Sequence, residues 1–134
     1  MDQVADPDKT TKLYHASNEY GIARYDGDTG AFLGWFMHPD AGTGLVETPD
    51  AGASNKLLSY VSLGADNRVY VSVGSPEQIH ERIIYRYEQD GTPAPATGQT
   101  GAVFVKQTGY QGDLRYCNSP LAFTADHVYV PGQN

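Results

Sequence analysis

In residues 69–73 and 83–87 an apolar or aromatic side chain stands at every second position: Val69, Val71 and Val73, then Ile83, Tyr85 and Tyr87. That period sends successive side chains to opposite faces of a strand, so one face of each run is suited to a core. Short runs rich in β-branched and aromatic residues also cover 13–16, 22–25, 31–36, 57–63, 102–106, 121–124 and 127–130, bounded by Gly, Asp, Asn or Pro. About nine strands joined by turns are therefore expected. One stretch departs from the pattern. In Ser75-Pro76-Glu77-Gln78 the Ser can cap, the Pro suits the first helical position and the Gln can return the capping hydrogen bond, which predicts a single helical turn before Ile83. The alternation puts Val61, Leu63, Val69, Val71, Ile83, Tyr85, Val103 and Val105 in or beside one core. Phe32, Trp35 and Phe104 are expected on outermost strands.

The strands also match one another. Leu13-Tyr14, Val69-Tyr70 and Val128-Tyr129 recur in similar settings, the last two preceded by Ala65-Asp66 and Ala125-Asp126. Arg24-Tyr25 and Arg86-Tyr87 each lead to an Asp-Gly pair, Asp26-Gly27 and Asp90-Gly91, and Thr29-Gly30-Ala31-Phe32 matches Thr100-Gly101-Ala102-Val103-Phe104. The matches keep their order about 60 residues apart, with the drift that insertions produce when strands are fixed and connections vary.

Residues 22–34, from Ile22-Ala23-Arg24-Tyr25-Asp26-Gly27 through Gly30-Ala31-Phe32-Leu33-Gly34, resemble the outer half of an NHL-type β-propeller blade. In such blades a strand ending in Arg-Tyr/Phe-Asp turns through a Gly-containing hairpin into the outermost strand. Residues 65–71 and 125–130 resemble the hairpin between a blade's two innermost strands. The resemblance implies an all-β fold of antiparallel four-stranded propeller blades. With strands a to d counted outward from the propeller axis, residues 1–12 read as an N-terminal tail and residues 13–134 as a partial β-propeller of strands b-c-d, a-b-c-d and a-b. Because a closed propeller takes at least about four blades, this is an incomplete ring, expected to associate with itself or with another propeller chain. A small β-sandwich is the alternative.

In a propeller the d-to-a and b-to-c connections emerge on one face, and the long segments 37–56, 74–82 and 107–120 fall there. Long loops on a rigid scaffold are where function concentrates. His38 with Asp40, and His80 between Glu77 and Glu81, bring imidazole and carboxylates close in sequence, the chemistry of a general base or a divalent metal site. Tyr110, Asp113, Arg115 and Tyr116 gather aromatics around one Arg, the residue types that anchor recognition surfaces. Tyr110, Asp113, Arg115, Tyr116, His38, Asp40 and His80 are accordingly the candidate binding residues. No catalytic or metal-ligating residue is assigned, because no nucleophile motif or ligand spacing accompanies them. Asp26, Asp28 and Gly30 begin like a calcium loop, yet Ala31 stands where an EF-hand needs Gly and Met37 where it needs a bidentate Glu. A hairpin turn using glycine at positive φ accounts for them.

The formal net charge of −7 argues against nucleic acid or an anionic membrane as partner. No apolar stretch reaches membrane-spanning length. A single cysteine, Cys117, allows no internal disulfide and reads as a small buried hydrophobe. The first residues lack the basic and apolar regions of a signal peptide, and the compartment stays open. These features point to a non-enzymatic propeller segment, without cofactor, that binds a protein, glycan or small ligand through its long-loop face or acts as an assembly component. The alternative is part of a metal-dependent propeller lyase or lactonase. The fold implied here resembles the streptogramin-lyase and gluconolactonase groups, where His, Glu, Asn and Asp from several blades converge on a metal.

Overall fold

A computed structural model describes residues 2–5, 11–17, 21–38, 40, 42–47, 57–74, 81–108 and 121–130. They form β1 (Asp2–Ala5), β2 (Thr11–Ser17), β3 (Gly21–Asp26), β4 (Phe32–His38), β5 (Gly44–Glu47), β6 (Leu57–Leu63), β7 (Val69–Gly74), β8 (Glu81–Tyr87), β9 (Val103–Thr108), β10 (Ala122–Phe123) and β11 (Val128–Tyr129). The fold is all-β, with no helix among the described residues. Three open sheets result: β1-β2-β3-β4-β5 (sheet 1), β6-β7-β8-β9 (sheet 2) and β10-β11 (sheet 3). Every pairing is antiparallel except that of β5 with β4, which is parallel.

Two strands lie where the sequence pattern shows none. Asp2–Ala5, in the expected tail, pairs with β2; two polar residues followed by two apolar ones, Asp-Gln-Val-Ala, carry no alternating signal, and the open backbone of β2 supplies their partners. Gly44–Glu47, in an expected loop, lies beside β4. Gly44 permits that approach, since a Cβ there would come within 3.0 Å of the Phe36 carbonyl oxygen, the His38 nitrogen and the Met37 Cα. The helical turn expected at Ser75–Gln78 lies outside the described residues.

Sheet 2 is the middle layer of a stack. One of its faces presents Val61, Val69, Val71, Tyr85 and Tyr87 to Ile22, Phe36 and Met37 of sheet 1, forming the larger core. Its other face presents Tyr70 and Ile84 to Leu121, with Phe104, Val105, Phe123, Val128 and Val130 packed around them. This division follows from the strand period: Val69 and Val71 point one way, Tyr70 the other. The expected single core is thereby corrected at one residue. Leu63, Ile83 and Val103 pack on the first core, whereas Val105 joins the second. A bulge is the reason. Ile84 faces Val105 and the next residue, Tyr85, faces Val103, so Phe104 is an extra residue in β9 and local alternation breaks.

β4 carries the same device. Ile22 faces Met37 and Ala23 faces Trp35, leaving Phe36 as the extra residue. Phe36 and Met37 are consecutive yet both fully buried. The repeat is thus written in the pairing registers. Tyr14 faces Asp2 and Arg24, Tyr70 faces Ser62 and Arg86, and Tyr129 faces Ala122. By the same registers Phe104 corresponds to Phe36 rather than to Phe32, because β4 has a second irregularity between Arg24 and Tyr25. The Thr-Gly-Ala match is therefore one of turns, not of strands.

Candidate functional site

In sheet 2 the chain enters β6, passes from β7 to β8 and leaves β9 at one end, while the β6–β7 and β8–β9 connections lie at the other. Of the candidate binding residues on the first end, His38 and Asp40 are described. The Asp40 backbone N–H donates to His38 Nδ1 at 3.0 Å, and the Asp40 carboxylate lies 3.7 Å from the same nitrogen. The imidazole packs edge-on against Trp35 at 4.7 Å. Below it the Gly42 N–H donates to Glu47 Oε1 at 2.9 Å, fastening the short link between β4 and β5. His80, Tyr110, Asp113, Arg115 and Tyr116 lie outside the described residues, as does Cys117.

The opposite end holds a cleft of about 220 Å³ between sheets 2 and 3. Its rim is the pair of matching hairpins, Ala65-Asp66 and Ala125-Asp126, and its wall is built by Tyr70, Arg86 and Phe104. The Tyr70 hydroxyl donates to Asp66 Oδ2 at 3.0 Å, and Arg68 Nη1 lies 3.5 Å from that oxygen. Arg68 Nε in turn donates to Glu88 Oε1 at 2.8 Å; this bond holds the guanidinium pKa above its usual value. Burial, ahead of any charge, raises the Tyr70 phenol above its ordinary range.

Arg86 joins the cleft to the loop after β8. Its Nε donates to the Ala94 carbonyl at 2.7 Å and its Nη2 to the Pro95 carbonyl at 2.9 Å. The guanidinium lies 4.6 Å from the Phe104 ring centroid and 5.9 Å from that of Tyr70, the placement in which a ring quadrupole attracts a cation. Tyr70 is also 5.1 Å from Phe104 and 4.8 Å from Phe123. The polar groups of this wall are matched to one another and to backbone. Among the described residues no group of three or more His, Cys, Asp or Glu could hold a metal ion.

The resemblance of Asp26–Gly30 to a calcium loop is accounted for locally. Asp26 Oδ1 accepts from the backbone N–H groups of Asp28 and Thr29, at 3.0 and 2.8 Å, and from the Thr29 hydroxyl at 2.9 Å. These bonds, those from Thr29 foremost, hold the Asp26 carboxyl below the usual carboxylate range. It is a turn whose acceptor is already occupied.

Sequence reasoning missed the cleft because it treated the two Ala-Asp hairpins as repeat markers only. The signal was available: if equivalent hairpins belong to stacked sheets, they must lie side by side. A further feature is a row of rings on the face of sheet 1 turned away from sheet 2. Tyr25, Phe32, Trp35 and His38 follow one another at centroid distances of 5.7, 5.8 and 4.7 Å. Comparison with protein-family models, with curated proteins and with solved structures finds no match to this chain.

Proposed function

We propose that this chain is a non-enzymatic segment of an NHL-type β-propeller, serving as a binding and assembly component. The observation that carries the reading is the stack: three sheets in chain order lie face on face, the middle one covered on both sides, with the strand-pairing register repeated from sheet to sheet. A two-sheet sandwich leaves the outer face of each sheet to solvent, whereas in a propeller each blade is covered by a neighbour on either side. The ligand, a protein, glycan or small molecule, is met at the end where the connections into β6, from β7 to β8 and out of β9 emerge. His38 and Asp40 belong to that end, and Arg115 and Tyr116 fall in the connection after β9.

Metal content separates this function from a metal-dependent lyase or lactonase. Elemental analysis of the purified protein, dialysed without chelator, is expected to find far less than one equivalent of any divalent metal. Tightly held stoichiometric metal would overturn the non-enzymatic reading.

A further inference from the structure

We infer that the cleft between sheets 2 and 3 is a binding site for a small organic acid, a carboxylate on an apolar body of about one ring, with the carboxylate held by Arg86. The site lies at the other end of the strands from His38 and Asp40. It therefore goes beyond the binding face proposed above and does not rest on it.

Arg86 carries the argument. Its Nε and Nη2 are committed to the carbonyls of Ala94 and Pro95 at 2.7 and 2.9 Å, and the Phe104 ring centroid lies 4.6 Å from the guanidinium. The loop that holds it is itself bonded: the Ala94 N–H donates to the Arg86 carbonyl at 2.9 Å and the Ala96 N–H to that of Val103 at 3.0 Å. The side chain is thus placed before any ligand arrives, which lowers the cost of binding. A guanidinium has five N–H groups in a planar fork, so it has donor capacity beyond those two bonds. A carboxylate is the group that such a fork accepts best.

The acids of the rim do not cancel this charge. The Asp66 carboxylate is taken up by the Tyr70 hydroxyl, by the Arg68 backbone N–H at 3.2 Å and by the Arg68 guanidinium, and Glu88 is bonded to Arg68 Nε. Asp126 and His127 are exposed, where charges interact weakly. Both rim hairpins are closed by bonds of 2.9 Å, from the Gly64 N–H to the Arg68 carbonyl and from the Thr124 N–H to the His127 carbonyl. Gly64 also leaves room where a Cβ would strike the Asp66 carboxylate and the Tyr70 ring. Inside, Tyr70, Phe104, Phe123 and Val128 supply apolar wall. The volume of about 220 Å³ falls below the roughly 300–1,000 Å³ of sites for drug-sized ligands, which limits the occupant to about one ring. An amine would bring a second cation to Arg86, and a neutral sugar would leave that charge unanswered.

Phenylacetate is the probe, with phenylacetamide and phenethylamine as neutral and cationic controls of similar size. Because Arg86 also ties down the loop after β8, the ligand series and an exposed rim position carry the test in place of an Arg86 variant. NMR titration of the full chain is expected to give saturable amide shifts at Asp66, Ala125 and Asp126 and none at Asp40, with a Kd in the millimolar range or below. The amide is expected to bind at least about tenfold more weakly, the size of a hydrogen bond to a charged group. Asp126→Asn removes a like charge from the rim and is expected to tighten phenylacetate by about two- to fivefold. Binding of the amide or the amine as tight as that of the acid overturns the inference, as does a lack of saturation in the millimolar range. Shifts centred on Asp40 would put the ligand at the other end, and weaker binding by Asp126→Asn would make the cleft a cation site; either result also overturns it.

Discussion

The backbone N–H of Leu121 donates to the hydroxyl of Ser62 at 3.0 Å, joining two residues 59 positions apart in the chain. Both are buried, and the bond ties the start of sheet 3 to the first strand of sheet 2. Removing the acceptor strands a buried donor, which costs about 1–3 kcal/mol. Ser62→Ala is therefore expected to lower the urea midpoint with little change in m. Ser72 is the control: its hydroxyl is also buried but has no hydrogen-bond partner among the described residues. Ser72→Ala is expected to leave the midpoint unchanged or raise it. Equal losses for both substitutions would show that the Leu121 bond contributes nothing particular.

Phe36 and Phe104 occupy the same bulge in successive sheets but not the same surroundings. Phe36 is fully buried against Tyr87. Phe104 borders the cleft, beneath the Arg86 guanidinium. Truncating a buried Phe to Ala costs about 3–5 kcal/mol, through lost transfer energy and the cavity left behind. Phe36→Ala is expected near the top of that range and Phe104→Ala clearly below it, as read from thermal unfolding of the two variants. The reverse order would mean that the wall of the cleft contributes more to stability than the sheet 1–sheet 2 core.

Alkaline pH should test the same core through Tyr87. Burial pushes the Tyr87 phenol far above its ordinary value, and burial also raises Tyr70. A phenol whose folded pKa lies above the unfolded value of about 10 contributes stability in full below that pH. The contribution is lost as pH rises through the folded value. Absorbance titration is expected to show most tyrosines ionising near pH 10, with these two ionising only as the fold is lost. Tyr87→Phe keeps the ring against Phe36 and removes the ionising group, so its alkaline unfolding is expected at higher pH than wild type. At the acid end, Asp26 and Asp90 are held low by their bonds to Thr29 and Thr92. What they contribute is present above the ordinary carboxylate range and fades as pH falls below it.

Strand positions, hairpins and the order of the repeat are legible in the residues alone, because alternation and Asp-Gly or Ala-Asp turns are local properties of a pleated chain. Val69 and Val71 against Tyr70 already say that one strand serves two faces. What covers those faces is not local. The assignment of Val105 to the second core, and the equivalence of Phe104 with Phe36, depend on a single extra residue in β9 and β4, and a bulge shifts every later side chain without marking the composition. β1 and β5 exist because β2 and β4 offered unpaired backbone edges, not because four residues of either sequence favour a strand. The cleft beside Arg86 is likewise a product of stacking. Its rim residues lie about 60 positions apart, a separation that only tertiary packing brings to one place.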